Sequence, residues 1–391
     1  MDRKGTWISR ILALLWLLLA AILYVRTDSF LGPALISGTF IMYIGMMIFG
    51  ALSGKRLACE IEAPVRAAKG ETSEVLIRIK NQSAMPVLFA YTVLDVSNAV
   101  TGETKRICLP FSVIGHGKCE QKISLKERFC GKCEYVIDGA AVPDMMHFFV
   151  HKRDLQGSGQ TIVMPDVGEI TPDEQSREAS DMESFRYSQT RKGPDVSETF
   201  AIREYQPGDS IKRIHWKLSY KTGDTMVKES SYPIFNSMLL LLETGFISPQ
   251  EMKPEWMDTM TEVTMSLAAG LTAKGIGFEI CTYDQKEGKL YRRRIDTEDD
   301  LWAAAGMLLS AHRAVSEENV MERFLEEFSG QPFAHMVYIT AGAREIDTEF
   351  MPNESILTTL KCGSMASEEG EITEYGFTPE NWHEELQYIR I

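Results

Sequence analysis

Two uncharged, apolar runs near the start of the chain constrain its fold more than any other feature. Fifteen residues without a charge lie between Arg10 and Arg26, and this run lengthens if the Arg10 side chain extends toward lipid headgroups. A second uncharged run covers residues 29–54. Each run is long enough to cross a bilayer as a helix, so the sequence predicts transmembrane helices over residues 7–25 and 30–52.

The connection between the two runs is short, which predicts a helical hairpin over residues 1–56. Signal peptides also begin with a basic segment and an apolar run, but here no Ala-x-Ala-like cleavage site follows the first run. Basic residues flank the outer ends of both predicted helices, and the positive-inside rule places such ends in the cytoplasm. The sequence therefore predicts a two-span protein of the plasma membrane, with its N-terminus and soluble domains on the cytoplasmic side.

Charge is distributed unevenly along the chain. The whole chain has a net charge of −14, whereas residues 1–56 carry six bases and two acids, a balance of +4 that leaves −18 for the remainder. Phosphate backbones repel so acidic a protein, which argues against a nucleic-acid partner. The seven cysteines cannot all pair and do not form a dense framework, so they indicate reduced thiols.

The segment Cys130-Gly-Lys-Cys133 has the spacing of a metal knuckle or a redox pair. A structural zinc ion needs four ligands, and no second pair lies at a familiar distance. We therefore interpret the two cysteines as flanking a glycine turn that leads into a strand.

Residues 57–165 have the pattern of short β-strands separated by turn residues. Val75, Ile77 and Ile79 alternate with more polar neighbours, as in a strand with one buried face. Several short strands at regular spacing predict a small β-sandwich of immunoglobulin-like shape. His147 and His151 are expected to be structural or surface residues. The predicted strands cover residues 74–80, 88–96, 104–113, 119–126 and 132–142.

The next segment, residues 166–192, is predicted to be an acidic linker. Its part from 166 to 184 holds seven acids and one base, with few large apolar residues. We expect it to contact the locally basic segment that follows, because opposite charges lie so close along the chain.

Residues 193–233 contain charged residues interleaved with aromatic ones, and turn signals such as Pro207-Gly208-Asp209. Ile211, Ile214 and Leu218 have helical spacing, and a strand is expected over residues 225–229. The Arg203 guanidinium could hold a carboxylate through two hydrogen bonds.

The run F-x-x-REYQPGD-x-x-x-R-IHWK…TG…MVKE resembles the signature of a bacterial family described as "domain of unknown function 58". Ser219-Tyr220-Lys221 departs from the family's usual pattern, although the positive charge is kept. The resemblance implies two transmembrane helices, a β-rich domain, the signature and a von Willebrand factor A-like domain, here residues 234–391. The matching residues are Phe200, Arg203, Glu204, Tyr205, Pro207, Gly208, Asp209, Arg213, Ile214, Trp216, Lys217, Val227 and Lys228.

The periodicity of residues 234–391 independently predicts alternating strands and helices around a mostly parallel sheet. The predicted strands are the apolar run 237–242 and residues 277–283 and 335–341, and the predicted helices cover residues 257–274, 297–313 and 316–328. A von Willebrand A-like domain can bind a divalent ion through a D-x-S-x-S loop after its first strand. Here Glu243 replaces the aspartate, and Gly245 and Ile247 occupy the serine positions. Glu243 and Thr244 are left as a weak, degenerate candidate site, and we expect no metal and no cofactor.

Relatives of this family tend to accompany MoxR-type AAA+ ATPases and transglutaminase-like membrane proteins. The resemblance thus implies a membrane-anchored adaptor that is not an enzyme. We expect its contacts at the signature, chiefly at Arg203, Asp209, Arg213, Trp216 and Lys217, and at the top of the α/β domain. In a structural alternative, the same residues form a clamp of ion pairs and aromatic side chains that joins the two soluble domains. One alternative is a hydrolase in which His215 is the base beside Asp209 or Glu204, although no nucleophile motif accompanies it. A self-associating envelope scaffold is a further alternative.

Overall fold

The structure is a computed structural model that describes residues 3–26, 31–144, 149–172, 186–206, 209–234, 238–328, 333, 335–341, 355–363 and 373–389. The chain forms two compact units. The first comprises Met1–Asn98, Glu103–Arg128 and Lys132–Met164, and the second comprises Ala99–Gly102, Phe129–Gly131 and Pro165–Ile391. The finer domain boundaries given above remain predictions.

The first unit begins with two helices, α1 (Arg3–Arg26) and α2 (Leu31–Leu52). Within the described residues, one helix, Gly32–Leu52, is long and apolar enough to cross a membrane, and α1 contains a shorter apolar stretch, Ala13–Ile22. Gly32 lies against Tyr24, where an added Cβ atom would come within 2.9 Å of the Tyr24 Cα atom. A glycine at this position therefore allows the two helices to approach closely.

The β-rich part of the first unit consists of two sheets with a common core. A three-stranded sheet has the order β1-β3-β6, and a five-stranded sheet has the order β2-β8-β7-β4-β5. Apolar residues of both sheets, such as Ile77, Leu94 and Tyr135, pack together in the core. The strands are β1 (Leu57–Glu62), β2 (Arg66–Ala68), β3 (Thr72–Asn81), β4 (Val87–Asn98), β5 (Thr104–Val113), β6 (Lys118–Lys126), β7 (Gly131–Pro143) and β8 (Val150–Met164).

The five strands predicted in this region are confirmed to within two residues at each end. In β3 the residues Val75, Ile77 and Ile79 are all buried, as their alternation predicts. Strands β1, β2 and β8 were not predicted. The β8 sequence is rich in charged residues and contains two glycines, so it lacks the apolar alternation that identifies strands.

The second unit contains a six-stranded sheet of order β15-β14-β12-β17-β18-β19. Every neighbouring pair is parallel except β14 and β15, which form an antiparallel edge. The predicted alternation of helices with a mostly parallel sheet is confirmed. The strands of this sheet are β12 (Met238–Leu242), β14 (Phe278–Asp284), β15 (Lys289–Ile295), β17 (His335–Ala341), β18 (Ile356–Cys362) and β19 (Thr373–Phe377).

Smaller elements complete the second unit. The remaining strands are β9 (Thr171–Pro172), β10 (Arg186–Glu204), β11 (Met226–Ile234), β13 (Gly245–Phe246), β16 (Ala314–Val315) and β20 (Tyr388–Ile389). The helices are α3 (Trp216–Thr222), α4 (Pro254–Ala273), α5 (Glu298–Ser310), α6 (Val320–Glu327) and α7 (Trp382–Glu385).

Strand β12 occupies a central, fully buried position, since all five of its residues are buried. A continuous apolar run of this kind is typical of a parallel strand that is covered on both faces. Helix α5 starts at a capping box, in which the Thr297 side chain accepts from Asp300 and the Asp300 side chain accepts from the Thr297 backbone. The helices predicted over residues 297–313 and 316–328 are confirmed. Helix α5 ends earlier than predicted, at Ser310, and helix α6 starts later than predicted, at Val320.

Candidate docking surface at the end of a two-stranded arm

The signature residues lie at one end of a two-stranded antiparallel arm formed by β10 and β11. Arg203 pairs with Val227 and Glu204 pairs with Met226, so the chain between them, residues 205–225, closes the arm. Register shifts interrupt the pairing further along β10. Strand β10 begins at Arg186, inside the range that the sequence assigned to the acidic linker.

A two-point ion pair organises the first turn of this closing segment. The Arg203 guanidinium donates to both carboxylate oxygens of Asp209, at 2.7 Å each. The backbone N–H of Gln206 donates to the same carboxylate at 2.8 Å. The hydrogen bond from Arg203, followed by that from Gln206, lowers the pKa of Asp209 to about 2. The predicted bidentate grip of Arg203 is thus confirmed, with Asp209 as its partner.

His215 begins helix α3. Its Nδ1 atom accepts a hydrogen bond from the Leu218 backbone N–H at 3.2 Å, and the backbone N–H of His215 donates to the Met226 carbonyl at 2.8 Å. The Met226 N–H in turn donates to the Ser219 hydroxyl at 2.8 Å. These bonds connect α3 to strand β11 at both ends of one helical turn.

The continuous helix suggested by the spacing of Ile211, Ile214 and Leu218 is wrong. Residues Ile211–Arg213 form a 3-10 turn, Ile214 is extended, and α3 starts only at Trp216. Ile214 instead pairs with Val227 of β11 in an isolated bridge. Pairing with a strand therefore overrides the local helical periodicity at this point.

The outward side of the segment carries large apolar side chains in water. Trp216 is 67% exposed and Tyr220 is 95% exposed, and Ile211 is also exposed. Exposed apolar groups of this size, flanked by charges, are typical of interaction sites. We call this the tip surface; it comprises Ile211, Lys212, Arg213, Trp216, Lys217, Tyr220 and Lys221, all exposed.

The tip surface is basic on an acidic protein. Residues 203–228 contain six bases and three acids, a balance of +3, whereas the chain as a whole has a net charge of −14. Two of the three acids are Asp209, which is paired with Arg203, and Asp224, which lies in the turn after α3. The four bases of the tip surface therefore give it a positive field.

The remaining signature residues have different positions. The Tyr205 N–H donates to the Thr225 carbonyl at 2.7 Å, which continues the pairing of the arm, and Val227 is buried. Lys228 is exposed on β11. Phe200 lies within β10, and its side chain is outside the described residues, as are Pro207 and Gly208. The expected contact of the acidic linker with the signature also falls largely outside the described residues.

The hydrolase alternative requires His215 to act with Asp209 or Glu204. The described hydrogen bonds give these groups other roles, because Asp209 binds Arg203 and His215 Nδ1 caps α3. His215 is partly buried at the base of the helix.

The degenerate metal position at the end of β12 is occupied by internal hydrogen bonds. Oε1 of the buried Glu243 accepts from the N–H groups of Thr244 (2.8 Å) and Gly245 (2.7 Å). Oε2 accepts from the Val320 N–H at 3.3 Å and from the Tyr338 hydroxyl. The Thr244 hydroxyl donates to the Tyr283 carbonyl. The carboxylate therefore connects three segments of the chain.

A second buried polar group, around Arg313, was not predicted. Its guanidinium donates to the Met257 carbonyl and, at 2.6 Å, to the Thr261 hydroxyl of helix α4. Burial lowers the pKa of Arg313 to about 10, although the nearby Asp258 and Glu243 oppose this effect. The only sequence signal was the pair of acids Asp258 and Glu262 on α4, and Arg313 lies more than fifty residues after both.

No group of three or more histidine, cysteine, aspartate or glutamate side chains able to hold a metal ion occurs within the described ranges. Cys130 and Cys133 are both buried, and burial raises the pKa of each thiol. The Cys130 N–H donates to Asp258 at 2.7 Å, whereas the Cys133 thiol contacts Glu127. These features describe inert, structural thiols.

Residues 201–290 match the model of a family described as "Protein of unknown function DUF58", which confirms the family predicted from the signature. No curated protein matches the chain.

Several similar solved structures cover 28% of the chain each. They include the CARDB domain of a Pyrococcus furiosus protein in complex with di-metal ions (12% identity, 92% of that chain, TM-score 0.22). Red sea bream transglutaminase is 15% identical, with 15% of that chain covered and a TM-score of 0.22. A cohesin module from Clostridium perfringens is 12% identical, with 98% of that chain covered and a TM-score of 0.22.

Proposed function

We propose that this chain, which belongs over residues 201–290 to the DUF58 family, is a membrane-anchored adaptor that binds an acidic partner protein through its tip surface. The observation that carries the proposal is the exposure of Trp216 and Tyr220 beside four exposed bases. Aromatic and basic side chains of this kind form the centres of many protein interfaces.

The construction of the tip supports a binding role. The pair of Arg203 with Asp209 and the cap formed by His215 hold α3 in one orientation on the arm. A preordered surface loses little conformational freedom when it binds, so more of its contact energy remains as affinity. The acid Asp209 is paired with Arg203 inside the turn, whereas the bases of α3, Lys217 and Lys221, are exposed.

The N-terminal helices support the proposed anchoring in the membrane. The helix Gly32–Leu52 has the length and apolarity of a membrane span, and few of its residues are buried in the chain alone. We propose that α1 and α2 both cross the plasma membrane and that the soluble units face the cytoplasm, as the basic residues at the ends of the hairpin indicate.

The partner proposed is a MoxR-type AAA+ ATPase, as the family resemblance implies, with a transglutaminase-like membrane protein as a further member of the assembly. We propose no enzymatic activity, no cofactor and no nucleic-acid partner. The von Willebrand A-like identity of the second unit and the immunoglobulin-like identity of the β-sandwich are part of the same proposal.

The test is affinity capture of the full chain from native membranes, followed by mass spectrometry. A Trp216→Ala/Lys217→Ala variant changes two exposed side chains of the tip surface, so it should fold normally. A Trp302→Ala/Lys286→Ala variant is a matched control, because it removes an exposed tryptophan and an exposed lysine elsewhere in the second unit.

We expect the wild type and the control to retain the ATPase, and the tip variant to lose it. The retained complex should also weaken as the salt concentration rises, because the contact is electrostatic. Equal recovery with all three proteins would show that the tip surface is not the contact. Recovery of no ATPase with any of them would contradict the adaptor function.

A further inference from the structure

Three loops of the β-sandwich lie at the end where α2 enters it. Strand β1 follows α2 directly, and its first residue, Leu57, pairs with Asn81 at the end of β3. Val87 at the start of β4 pairs with Val113 at the end of β5. Because these pairings are antiparallel, the β3–β4 and β5–β6 connections both lie at the α2 end. The start of β4 also pairs with the end of β7, so β7 ends at this same end of the sandwich, where the connection to β8 begins.

Exposed apolar side chains concentrate at this end. Ile114 in the β5–β6 loop is 72% exposed, and Phe149 before β8 is 50% exposed. Leu88 and Phe89 are consecutive in β4, yet both face solvent, because the register with β5 shifts between Val87 and Ala90. With Met85 in the β3–β4 loop, these residues form an apolar rim. The rim comprises Met85, Leu88, Phe89, Ile114 and Phe149.

The rim is directly connected to the last turn of α2. Leu88 and Phe89 line a cavity of about 180 Å³ together with Phe49, Gly50 and Ser53 of that helix end. The Ser53 hydroxyl donates to the Pro86 carbonyl in the β3–β4 loop at 2.7 Å. The rim and the end of α2 are therefore at the same level of the molecule.

Arg153 of β8 fixes this junction. Its guanidinium donates to the carbonyl oxygens of Gly50 (2.9 Å), Ala51 (2.8 Å) and Ser53 (2.8 Å), which are among those a helix leaves without internal partners. A cation at a helix C-terminus also interacts favourably with the helix dipole. The sandwich therefore has a defined position relative to α2.

Charge differs between the two ends of the sandwich. The loops over residues 82–86 and 114–117 contain no charged residue, and Asp144, which begins the third connection, is buried. At the opposite end the connections carry Lys69, Glu71, Glu103, Glu127 and Arg128. The exposed charges near the rim include the bases Lys55 and Arg56, which directly follow α2, and Lys118, which follows the 114–117 loop.

From these observations we propose that the apolar rim is inserted into the headgroup and upper acyl region of the bilayer that α2 crosses. The inference rests on the membrane anchoring proposed above. A spanning helix ends at the membrane–water interface, so side chains fixed at the level of its last turn lie in that interface. Aromatic and aliphatic side chains are favoured there, and Lys55 and Arg56 suit anionic headgroups.

The occupant of the rim is thus the lipid surface and not a second protein. The β-sandwich is not suspended on a flexible tether but is placed on the membrane with one end immersed.

Site-directed spin labelling of the full chain in phospholipid nanodiscs tests this placement. The partly exposed Cys59, Cys108 and Cys119 are first replaced by serine, since the remaining cysteines are buried. Single cysteines are then introduced by Phe89→Cys and Ile114→Cys at the rim. Val65→Cys is the matched control, because Val65 is an exposed apolar residue beyond the far end of β1.

A fourth label, Ile41→Cys, reports on the middle of α2, where Ile41 is exposed in the chain alone. Each label is measured by its relaxation with oxygen, which concentrates in lipid, and with a water-soluble nickel chelate. Unchanged circular dichroism and thermal midpoint, relative to the serine background, confirm that each variant is folded.

We expect the ratio of oxygen to nickel relaxation to be highest at Ile41, intermediate at Phe89 and Ile114, and lowest at Val65. If Ile41 reports lipid but the rim labels match Val65, the rim inference is overturned while the anchoring proposal stands. If the rim labels are shielded from both reagents, a protein covers the rim, which also overturns the inference. A water-accessible label at Ile41 would contradict the anchoring proposal itself.

Discussion

Arg203 and Asp209 form an ion pair through two parallel hydrogen bonds of 2.7 Å, and this pair closes the turn that leads from the β10–β11 arm into the tip surface. Both side chains are partly buried, at 34% and 19% exposure. Planar, two-point contacts of this kind fix orientation as well as charge, so a lysine cannot reproduce them fully.

The pair determines the acidity of Asp209. Its pKa is lowered to about 2 in the folded protein, so the unfolded chain takes up the proton first as the pH falls. The stabilisation is therefore complete above the ordinary carboxyl pKa of about 3.9 and is lost as the pH approaches 2. We expect Arg203→Ala to raise the pKa of Asp209 markedly and Arg203→Lys to raise it less.

Carboxyl NMR titration of protein with ¹³C-labelled aspartate measures this change, and Asp209→Asn identifies the resonance. An unaltered pKa in Arg203→Ala would mean that the ion pair does not form in solution.

The buried carboxylate of Glu243 should be important for stability. It accepts from three backbone N–H groups and the Tyr338 hydroxyl, and each buried donor left without an acceptor costs about 1–3 kcal/mol. We expect the free energy of unfolding in urea to fall most in Glu243→Ala, less in Glu243→Gln and least in Tyr338→Phe. The exposed Glu326→Ala is the control, with a change within about 0.5 kcal/mol. Equal losses in Glu243→Ala and Glu326→Ala would contradict this role.

The same bonds bear on metal binding. Both oxygens of Glu243 are already used, and a divalent ion would have to displace their backbone donors. We expect millimolar Mg²⁺ to leave the thermal midpoint unchanged at constant ionic strength. A rise with Mg²⁺ that disappears in Glu243→Gln would show that the degenerate site binds metal after all.

His335 at the start of β17 predicts an acid-sensitive step in unfolding. Burial lowers its pKa to about 4, and its Nε2 atom lies 2.9 Å from the Thr358 hydroxyl. Because the folded-state pKa is below the unfolded value of about 6.5, stability is lost as the pH falls from about 6.5 to about 4, by up to about 3 kcal/mol. His335→Gln should remove this component. Urea unfolding at several pH values measures it, and an identical pH dependence in both proteins would refute the assignment.

Arg153 should hold the junction between α2 and the β-sandwich. Arg153→Ala removes the charged donor from three helix carbonyls, and hydrogen bonds to a charged group contribute about 1.5–3 kcal/mol each. We expect faster tryptic cleavage after Lys55 and Arg56 in nanodiscs, because the local structure opens more often. Lys152→Ala, an exposed neighbour on β8, is the control. Cleavage at the wild-type rate in Arg153→Ala would mean that the contact is not needed.

The sequence predicted elements that are defined by local pattern. Alternating apolar residues identified β3, and the apolar run 237–242 identified the central strand β12. The signature identified the family, and its charged residues predicted the two-point contact of Arg203 with a carboxylate. In each case the deciding contacts are between residues close in the chain or are repeated at a fixed period.

What escaped prediction depends on distant partners. From the sequence, Glu243 was interpreted as a remnant metal ligand. Its role as a hydrogen-bond acceptor depends on Tyr338, which is 95 residues away, so the local sequence did not indicate this role. Arg313 was missed because Thr261 and Met257 lie more than fifty residues before it. The strand β8 was missed because its charged and glycine-rich sequence is held by pairing, not by its own propensity.

The β10–β11 arm has a mechanical consequence. Strand β11 ends at Ile234, and only residues 235–237 precede the central strand β12. Tension applied at Trp216 would therefore pass along β11 into the middle of the parallel sheet and not into a peripheral loop. If the proposed ATPase pulls on the tip surface, the load reaches the best-buried strand of the unit through a short connection, so the arm is suited to transmit force.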